Sequence, residues 1–163
     1  MDFFQKFAMT WKPHVTVAAI VERDHQFLMV EEKISGALVI NQPAGHLEKG
    51  ESLIDAVKRE TNEETGWTFE PTSIVGIHLW QHPANSTTFL RVSFEGYCTD
   101  YRPDQELDLG IIRALWLSRD QLAGREHMLR SPLVLRCIDD YLKGDRYPLS
   151  ILKSLLTQST FQS

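Results

Sequence analysis

The chain has 163 residues, of which 42% are hydrophobic and 24% are charged, as is typical of one globular domain with its own hydrophobic core. Its formal net charge of −5 argues against a nucleic-acid coat or an anionic-membrane binder, because both need a basic surface. No apolar run approaches the ~18 residues of a transmembrane helix, and the two cysteines are too few for a disulfide framework.

These bulk properties predict a cytoplasmic protein, a monomer or homodimer, that binds neither nucleic acid nor membrane. The N-terminus lacks the charged segment and apolar core of an export signal. The pattern of a folded domain begins only near residue 11. We therefore predict a flexible tail at 1–10 and a single domain at 11–163.

Short runs of β-branched and apolar residues predict a series of strands. In chain order they are 14–21, 26–31, 37–41, 73–81, 87–98 and 110–117. Helical spacing and capping residues predict the helices. In chain order they are 52–64, a segment starting at Ser118, a segment from Ser131 to Gly144, and a short last helix at 148–156. This order predicts an α/β (α+β) fold, an α/β/α sandwich in which helices pack on the faces of a mixed β-sheet.

The helix at 52–64 has clear boundary signals. Ser52 is a good N-cap, and Asp55 stands at the position that completes a capping box. Gly66 suits the left-handed conformation that often follows a helix. We therefore expect the residues near the end of this helix to have well-defined positions.

Three glutamates of this helix, Glu60, Glu63 and Glu64, share one face because positions three and four apart are neighbours on a helix. Like charges at this spacing repel each other, and a hard cation relieves the repulsion. Acidic runs are also common on solvated surfaces, so the glutamates alone leave both interpretations open. Arg59 can hold a carboxylate in a bidentate grip. Gly45 and Gly50 allow a tight loop whose backbone carbonyl could also reach a metal.

The spacing of this segment resembles the Nudix box, G-x5-E-x7-R-E-U-x-E-E-x-G-U. The matching positions are Gly45, Glu51, Arg59, Glu60, Glu63, Glu64, Gly66 and Trp67. Thr61 departs from the pattern, which prefers an aliphatic residue there, and we expect its methyl group to pack in that place. Flanking segments resemble the NudJ-type Nudix phosphatases over roughly 13–149, namely 13–18, 41–48, 89–91, 130–134 and 146–149.

The resemblance implies a hydrolase that cleaves a phosphoanhydride bond with Mg²⁺, or with Mn²⁺, in a small nucleotide or coenzyme diphosphate. The subgroup implies orthophosphate release from nucleoside tri- and diphosphates or from thiamine-type pyrimidine pyrophosphates. The implied metal ligands are the carbonyl of Gly45 and the carboxylates of Glu60, Glu63 and Glu64, one of which is also a candidate base.

The same resemblance gives Arg59 the role of orienting these carboxylates together with Glu51. It also implies a further acid from outside the box. Glu106, Asp108 and Glu126 are candidates, and the sequence does not distinguish them.

Three residues outside the glutamate cluster are candidates for substrate contact: Gln42, His46 and Arg91. His46 lies in the loop before the helix, and Arg91 shares a strand face with Phe89. That face could meet the phosphates and ring of a substrate. Trp80 is a candidate for stacking on a base, although a strand tryptophan more often belongs to the core.

The remaining histidines and the cysteines show no metal-ligand spacing. We interpret His14, His78 and His82 as structural or surface residues. Cys98 and Cys137 lie in apolar stretches, so both are expected to be buried free thiols.

Two other functions remain open at this point. A Nudix pyrophosphohydrolase releases pyrophosphate from a nucleoside triphosphate and has the same box. A non-catalytic nucleotide-binding module of this fold often lacks one of the glutamates, whereas this chain keeps Glu51, Glu60, Glu63 and Glu64. The intact set favours a hydrolase, although a fold alone does not decide function.

Overall fold

The computed structural model describes residues 10–156, so residues 1–9 of the predicted tail lie outside the described part of the chain. The strands are β1 (His14–Ile20), β2 (Glu22–Arg23), β3 (Gln26–Ile34), β4 (Ala37–Asn41), β5 (Ala44–His46), β6 (Thr68–Gln81), β7 (Thr88–Thr99), β8 (Ile111–Ser118) and β9 (Tyr147–Pro148). The α-helices are α1 (Leu53–Thr65), α2 (Arg119–Ala123) and α3 (Leu133–Lys143), with 3₁₀ turns at Glu126–Met128 and Leu149–Ile151.

The strands form two sheets. The first has the order β5-β1-β7-β6-β9, with β1 and β7 parallel and the other pairs antiparallel. The second is antiparallel and contains β2, β3, β4 and β8, with β3 pairing to each of the others. The mixed α+β class is therefore confirmed, with the strands divided between two sheets.

Helices α1 and α3 pack on opposite faces of the first sheet. Alternate residues of β1 point to opposite sides, so that Val17 belongs to the buried cluster around Ala56 of α1. Ile20 belongs to the cluster around Val134 and Ile138 of α3. The predicted α/β/α layering is present because each helix buries its apolar side against one face of the sheet.

The boundaries of α1 agree with the sequence, with one difference at its start. Ser52 caps the helix by accepting a hydrogen bond from the Asp55 backbone N–H at 3.1 Å. The Asp55 carboxylate accepts from the Ser52 hydroxyl at 2.7 Å instead of from the Ser52 backbone, so the capping box is only half formed. Gly66 ends the helix in the left-handed conformation, at φ 73°.

Other boundaries were predicted less well. The helix expected at 148–156 is wrong, since only a 3₁₀ turn forms at Leu149–Ile151. Strand β5 was expected to be loop, and β6 starts five residues before the predicted strand at 73. Within residues 10–156, no helix is both long enough and apolar enough to cross a membrane.

Candidate active site

The segment between β5 and α1 brings the glycines and glutamates of the box together. The backbone of Gly50 has a positive φ of 86°, a conformation that glycine adopts with little strain. The turn places Glu51 so that its Oε1 accepts from the backbone N–H of Glu48 at 2.7 Å. The Glu51 carboxylate is thereby fixed before α1 begins.

Arg59 lies at the centre of the carboxylates. Its Nε and Nη2 donate to the two oxygens of Glu51 at 3.0 and 2.7 Å. Its Nη1 donates to Glu60 at 2.7 Å and to Glu63 at 3.1 Å, and its Nη2 also reaches the carbonyl of His46 at 3.0 Å. Hydrogen bonding to Arg59 lowers the pKa of Glu51, so one guanidinium connects the loop to the helix.

Glu60, Glu63 and Asp108 form a group of three carboxylates whose oxygens lie within 4.8 Å of one another. The backbone N–H of Asp108 donates to the carbonyl of Glu63 at 3.0 Å, which holds the loop before β8 against the end of α1. Of the three acids left open by the sequence, the structure brings Asp108 to the glutamates. Glu106 and Glu126 are exposed and outside this group.

The three carboxylates of this group lie close enough to repel one another. Burial raises the pKa of Glu60, Arg59 lowers it, and the neighbouring charges of Glu63 and Asp108 raise it. Carboxylates held this close favour either protonation or a bound cation.

Glu64, which was predicted to form one cluster with Glu60 and Glu63, lies apart from the group of three. It is buried, and its Oε2 accepts from the backbone N–H of Ala44 at 2.9 Å. Burial raises the pKa of Glu64 to about 9, against the opposing hydrogen bond from Ala44. In the metal-free chain this carboxyl group is therefore mostly protonated at neutral pH.

Gly45 is the point at which β5 passes over the acidic cluster. A Cβ atom at this position would lie 2.0 Å from Cδ of Glu60, which is far inside van der Waals contact. Only glycine lets the strand approach the Glu60 carboxylate this closely.

A cavity of about 570 Å³ opens beside β5. Gly45 and His46 line it together with residues from β1, β3, β4, β6, β7 and the segment before α3. Its remaining lining residues are Thr16, Glu32, Ile34, Ser35, Asn41, Ala44, Trp80, His82, Asn85, Phe89, Arg91, Arg130, Ser131 and Leu133. The volume is that of a site for a small molecule.

Aromatic rings form one side of this cavity. Trp80 and Phe89 are stacked, with centroids 5.8 Å apart, and His82 lies edge-on to Trp80. Trp80 also packs against the core around α3, so it belongs both to the core and to the cavity lining. The ring of His14 contacts that of Phe89, and Nδ1 of His14 is hydrogen-bonded to Nε2 of His46 at 3.3 Å.

Arg91 and Gln42 occupy different positions relative to the cavity. Arg91 lines it, although its side chain is largely buried. Gln42 is fully buried behind Arg91, accepting from Nη1 of Arg91 at 3.4 Å and donating to the carbonyl of Val134 at 2.7 Å. The structure therefore places His46 and Arg91 at the cavity surface and Gln42 beneath it.

Among the described residues, three buried side-chain atoms have no hydrogen-bond partner: Oγ1 of Thr16, Oδ1 of Asn41 and Nε of Arg91. All three residues line the cavity and are more than nine-tenths buried. Buried polar atoms are rarely left unpaired, so the protein's own groups do not satisfy all the polar side chains of this lining.

Sequence reasoning missed Thr16 and Asn41. Thr16 pairs in register with Arg91 across the parallel β1–β7 ladder and with His46 across β1–β5, which places all three in one row. The alternation of residues along β1 shows which residues share a face with Thr16. It does not show that β5 and β7 are the neighbours of β1, so it could not place Thr16 beside His46 and Arg91. Thr61 departs from the box, which prefers an aliphatic residue there. Its buried hydroxyl donates to the Val57 carbonyl at 2.8 Å, so its polar group has a hydrogen-bond partner within α1.

The Nudix domain model matches residues 12–136 of the chain. The curated protein Phosphatase NudJ from Escherichia coli (strain K12) is 42% identical over 142 residues, which cover 87% of this chain and 92% of that protein.

Solved structures show the same relationship. A Nudix hydrolase from Nitrosomonas europaea is 51% identical, with a TM-score of 0.86 over 88% of this chain and 97% of that one. The Nudix domain of Shewanella oneidensis NrtR, solved with ADP ribose, shares the fold at 17% identity, with a TM-score of 0.65 over 88% of this chain and 99% of that one.

Proposed function

Because the chain belongs to the Nudix family and is a hydrolase of phosphoanhydride-containing substrates, we propose that it is a Mg²⁺-dependent phosphatase. It removes the terminal phosphate of a nucleoside tri- or diphosphate, or of a thiamine-type pyrimidine pyrophosphate. The observation that carries the proposal is the position of the three-carboxylate group beside a cavity with a cationic and aromatic lining.

The donor set fits a hard divalent cation. Glu60, Glu63 and Asp108 offer carboxylate oxygens, which Mg²⁺ and Mn²⁺ prefer. We propose these three as ligands, with the carbonyl of Gly45 beside Glu60. Glu64 would be the fourth ligand, once its carboxyl group had lost the proton that burial favours.

The chain's own side chains would then have separate roles in the reaction. A bound Mg²⁺ neutralises charge on the phosphate oxygens and lowers the pKa of water. Arg59 holds Glu51, Glu60 and Glu63 in fixed positions, so that one carboxylate can accept a proton from the attacking water. Positioning and electrostatics supply most of the catalysis in phosphoryl transfer.

The cavity supports a substrate with an aromatic ring and a polar edge. Trp80 and Phe89 offer faces on which a ring can stack. The side chains of Thr16, Asn41 and Arg91 in the cavity lining offer hydrogen-bond donors and acceptors for that edge. A nucleobase and an aminopyrimidine ring both match this description.

His46 and the cationic residues of the cavity lining suit phosphate contacts. Arg91 and Arg130 bring positive charge, against one carboxylate from Glu32. Burial, with the charges of His14 and Arg130 added, lowers the pKa of His46. His46 is therefore neutral above its usual pKa and can donate one hydrogen bond to a phosphate oxygen.

A cytoplasmic location belongs to the same proposal, since both described cysteines are unpaired and small nucleotides are the expected substrates. We propose that the enzyme acts as a monomer or homodimer on a small molecule.

The test is a substrate panel of nucleoside diphosphates, nucleoside triphosphates and thiamine diphosphate. Orthophosphate and pyrophosphate are measured separately, with Mg²⁺ and with excess chelator. We expect orthophosphate from tri- and diphosphates, lost in chelator and restored by Mg²⁺ or Mn²⁺. Full turnover without metal would contradict the metal site, and pyrophosphate as the main product would indicate a pyrophosphohydrolase. No turnover with tight nucleotide binding would indicate a non-catalytic module.

A further inference from the structure

The loop at 100–110 joins β7 to β8 and carries one acid of the carboxylate group, and we call it the β7–β8 loop. Its start is held by the ring of Tyr101, which stacks on that of Trp67 with centroids 4.5 Å apart. Its end is held to β3, because the backbone N–H of Lys33 donates to the carbonyl of Gly110 at 2.8 Å. Between these two anchors the loop lies against the C-terminal end of α1.

Two backbone hydrogen bonds join the β7–β8 loop to the end of α1. The N–H of Arg102 donates to the carbonyl of Gly66 at 2.9 Å, and the N–H of Asp108 donates to that of Glu63 at 3.0 Å. Every residue except proline has a backbone N–H, so neither bond requires a particular side chain in the loop.

The side chain of Gln105 makes a third contact between these two. Its Nε2 donates to the carbonyl of Asn62 at 2.7 Å and lies 3.2 Å from Oδ1 of the same residue. The Asn62 carbonyl also accepts from the N–H of Gly66 at 2.9 Å. Gln105 is half-buried, whereas Asp104 and Glu106 on either side of it are exposed. The middle of the loop is therefore joined to α1 through one amide side chain.

The charges around this contact explain why a neutral donor suits it. Carbonyl groups in the last turn of a helix carry partial negative charge, and the last turn of α1 contains no basic residue. The β7–β8 loop has four acidic residues and one arginine, so charge repulsion opposes its approach to Glu60 and Glu63. The amide of Gln105 donates to the end of α1 without adding a charge beside the carboxylates.

The partner of Gln105 lies at a position that the box leaves free. Asn62 stands between Thr61 and Glu63, where the pattern accepts any residue. The contact between Gln105 and Asn62 is therefore a feature of this chain that the box does not contain.

We propose that Gln105 is a positioning residue for the cation site. Its amide holds the middle of the β7–β8 loop against α1, so that the carboxylate of Asp108 stays beside those of Glu60 and Glu63 before a cation binds. Without this amide, part of the binding free energy of the cation is used to order the loop. The inference rests on the proposed function, in which Asp108 is a ligand, and Gln105 acts through Asp108.

The first test measures cation binding without substrate or turnover. Mn²⁺ alone is titrated into the full chain, and free Mn²⁺ is read by electron paramagnetic resonance. Gln105→Met has a side chain of similar length without the donor, so the Kd for Mn²⁺ should rise about fivefold, the scale of one neutral hydrogen bond. Leu109→Ala is the matched control, because Leu109 is fully exposed in the same loop, and its Kd should stay within about twofold.

The outcomes of this titration separate the inference from the proposed function. An unchanged Kd in Gln105→Met, with Mn²⁺ bound by the original chain, would overturn the positioning role and leave the metal site standing. Absence of Mn²⁺ binding in the original chain would overturn the metal site and the inference with it. Gln105→Ala lacks the same donor and should give the same shift, so it replaces Gln105→Met if thermal melts in chelator show that variant to be unfolded.

The second test separates positioning of Asp108 from a general loosening of α1. In an Asp108→Asn background, Gln105→Met should change the Kd for Mn²⁺ by less than about twofold, because effects that act through one group are not additive. Equal fold-changes in both backgrounds would show that Gln105 acts on the helix itself and would overturn the positioning role.

The third test reads the same effect in turnover. With the best substrate of the panel, Gln105→Met should raise the Mg²⁺ concentration for half-maximal activity about fivefold, while kcat at saturating Mg²⁺ changes by less than about twofold. A loss of kcat that saturating Mg²⁺ does not restore would contradict a role confined to positioning the cation ligand.

Discussion

At the scale of single residues, the candidate site depends on how three carboxylates are held around one cation position. Glu63 is partly exposed and Asp108 is exposed, so neither is needed to fill the core. Replacing Glu63 or Asp108 by its amide removes a ligand charge while preserving the shape. We expect kcat to fall by at least ~10²-fold for Glu63→Gln and the Mg²⁺ needed for half activity to rise for Asp108→Asn.

Glu106→Gln is the matched control, since Glu106 is an exposed acid in the same loop and outside the carboxylate group. It should keep kcat within about twofold of the original chain. Steady-state assays across a Mg²⁺ series give both quantities. If Glu106→Gln were impaired and Asp108→Asn were not, the assignment of the acid outside the box would be wrong.

Glu64 makes a prediction about stability and pH. In the metal-free folded chain its carboxyl group has a pKa of about 9, compared with an ordinary value of 4.5. Between these pH values the unfolded chain has lost this proton and the folded chain has kept it, so the free energy of unfolding falls as pH rises. Glu64→Gln has no such proton to lose. In chelator at pH 8 it should melt at least ~2 °C above the original chain.

The same comparison at pH 5 is the internal control. There the unfolded carboxyl group is still partly protonated, so the stabilisation by Glu64→Gln should shrink. Thermal melts followed by circular dichroism at both pH values measure it. A lower melting temperature for Glu64→Gln at pH 8 would contradict the prediction and mean that Glu64 is ionised in the folded chain, where its carboxylate accepts from Ala44.

At the scale of elements, the parts of the site that sequence could predict are those set by local periodicity. Helix α1 was predictable because Ser52 and Gly66 mark its ends and the 3.6-residue repeat fixes which glutamates share a face. Strand β5 was missed because three residues are too few to show alternation. Asp108 could not be chosen because its position depends on a backbone hydrogen bond to Glu63 across the fold.

Strand β5 also gives a prediction about Gly45. A Cβ there would lie 2.0 Å from the Glu60 side chain, so Gly45→Ala must displace either the strand or the carboxylate. We expect a loss of at least ~10²-fold in kcat, since a small misplacement near the reacting groups is costly. Gly124→Ala is the matched control, because its nearest neighbour would be 3.6 Å away, an ordinary contact.

Activity and circular dichroism should be measured together for this pair. Gly124→Ala should match the original chain in both, and Gly45→Ala should keep its helical signal while losing activity. Full activity in Gly45→Ala would mean that the close approach of β5 to Glu60 is not needed for catalysis.

At the scale of the whole molecule, the site exists because distant segments meet across the first sheet. The parallel pairing of β1 with β7 sets Thr16 beside Arg91, and β5 adds His46 on the other side. Sequence showed Arg91 and Phe89 on one strand face, and both do line the cavity. It could not show that this face meets Asn41 from the other sheet, because strand neighbours separated by long loops leave no local pattern.

The relative positions of the ring site and the cation site bear on which bond breaks. Trp80 and Phe89 would hold the ring, and Gly45 both lines the cavity and lies beside Glu60. A shift of one phosphate unit, a few ångströms, changes which phosphorus the water can reach. We expect attack at the terminal phosphorus, so turnover of a nucleoside diphosphate in heavy-oxygen water should place the label in released orthophosphate, as read by mass spectrometry. Label in the nucleoside monophosphate instead would show attack at the inner phosphorus and contradict this prediction.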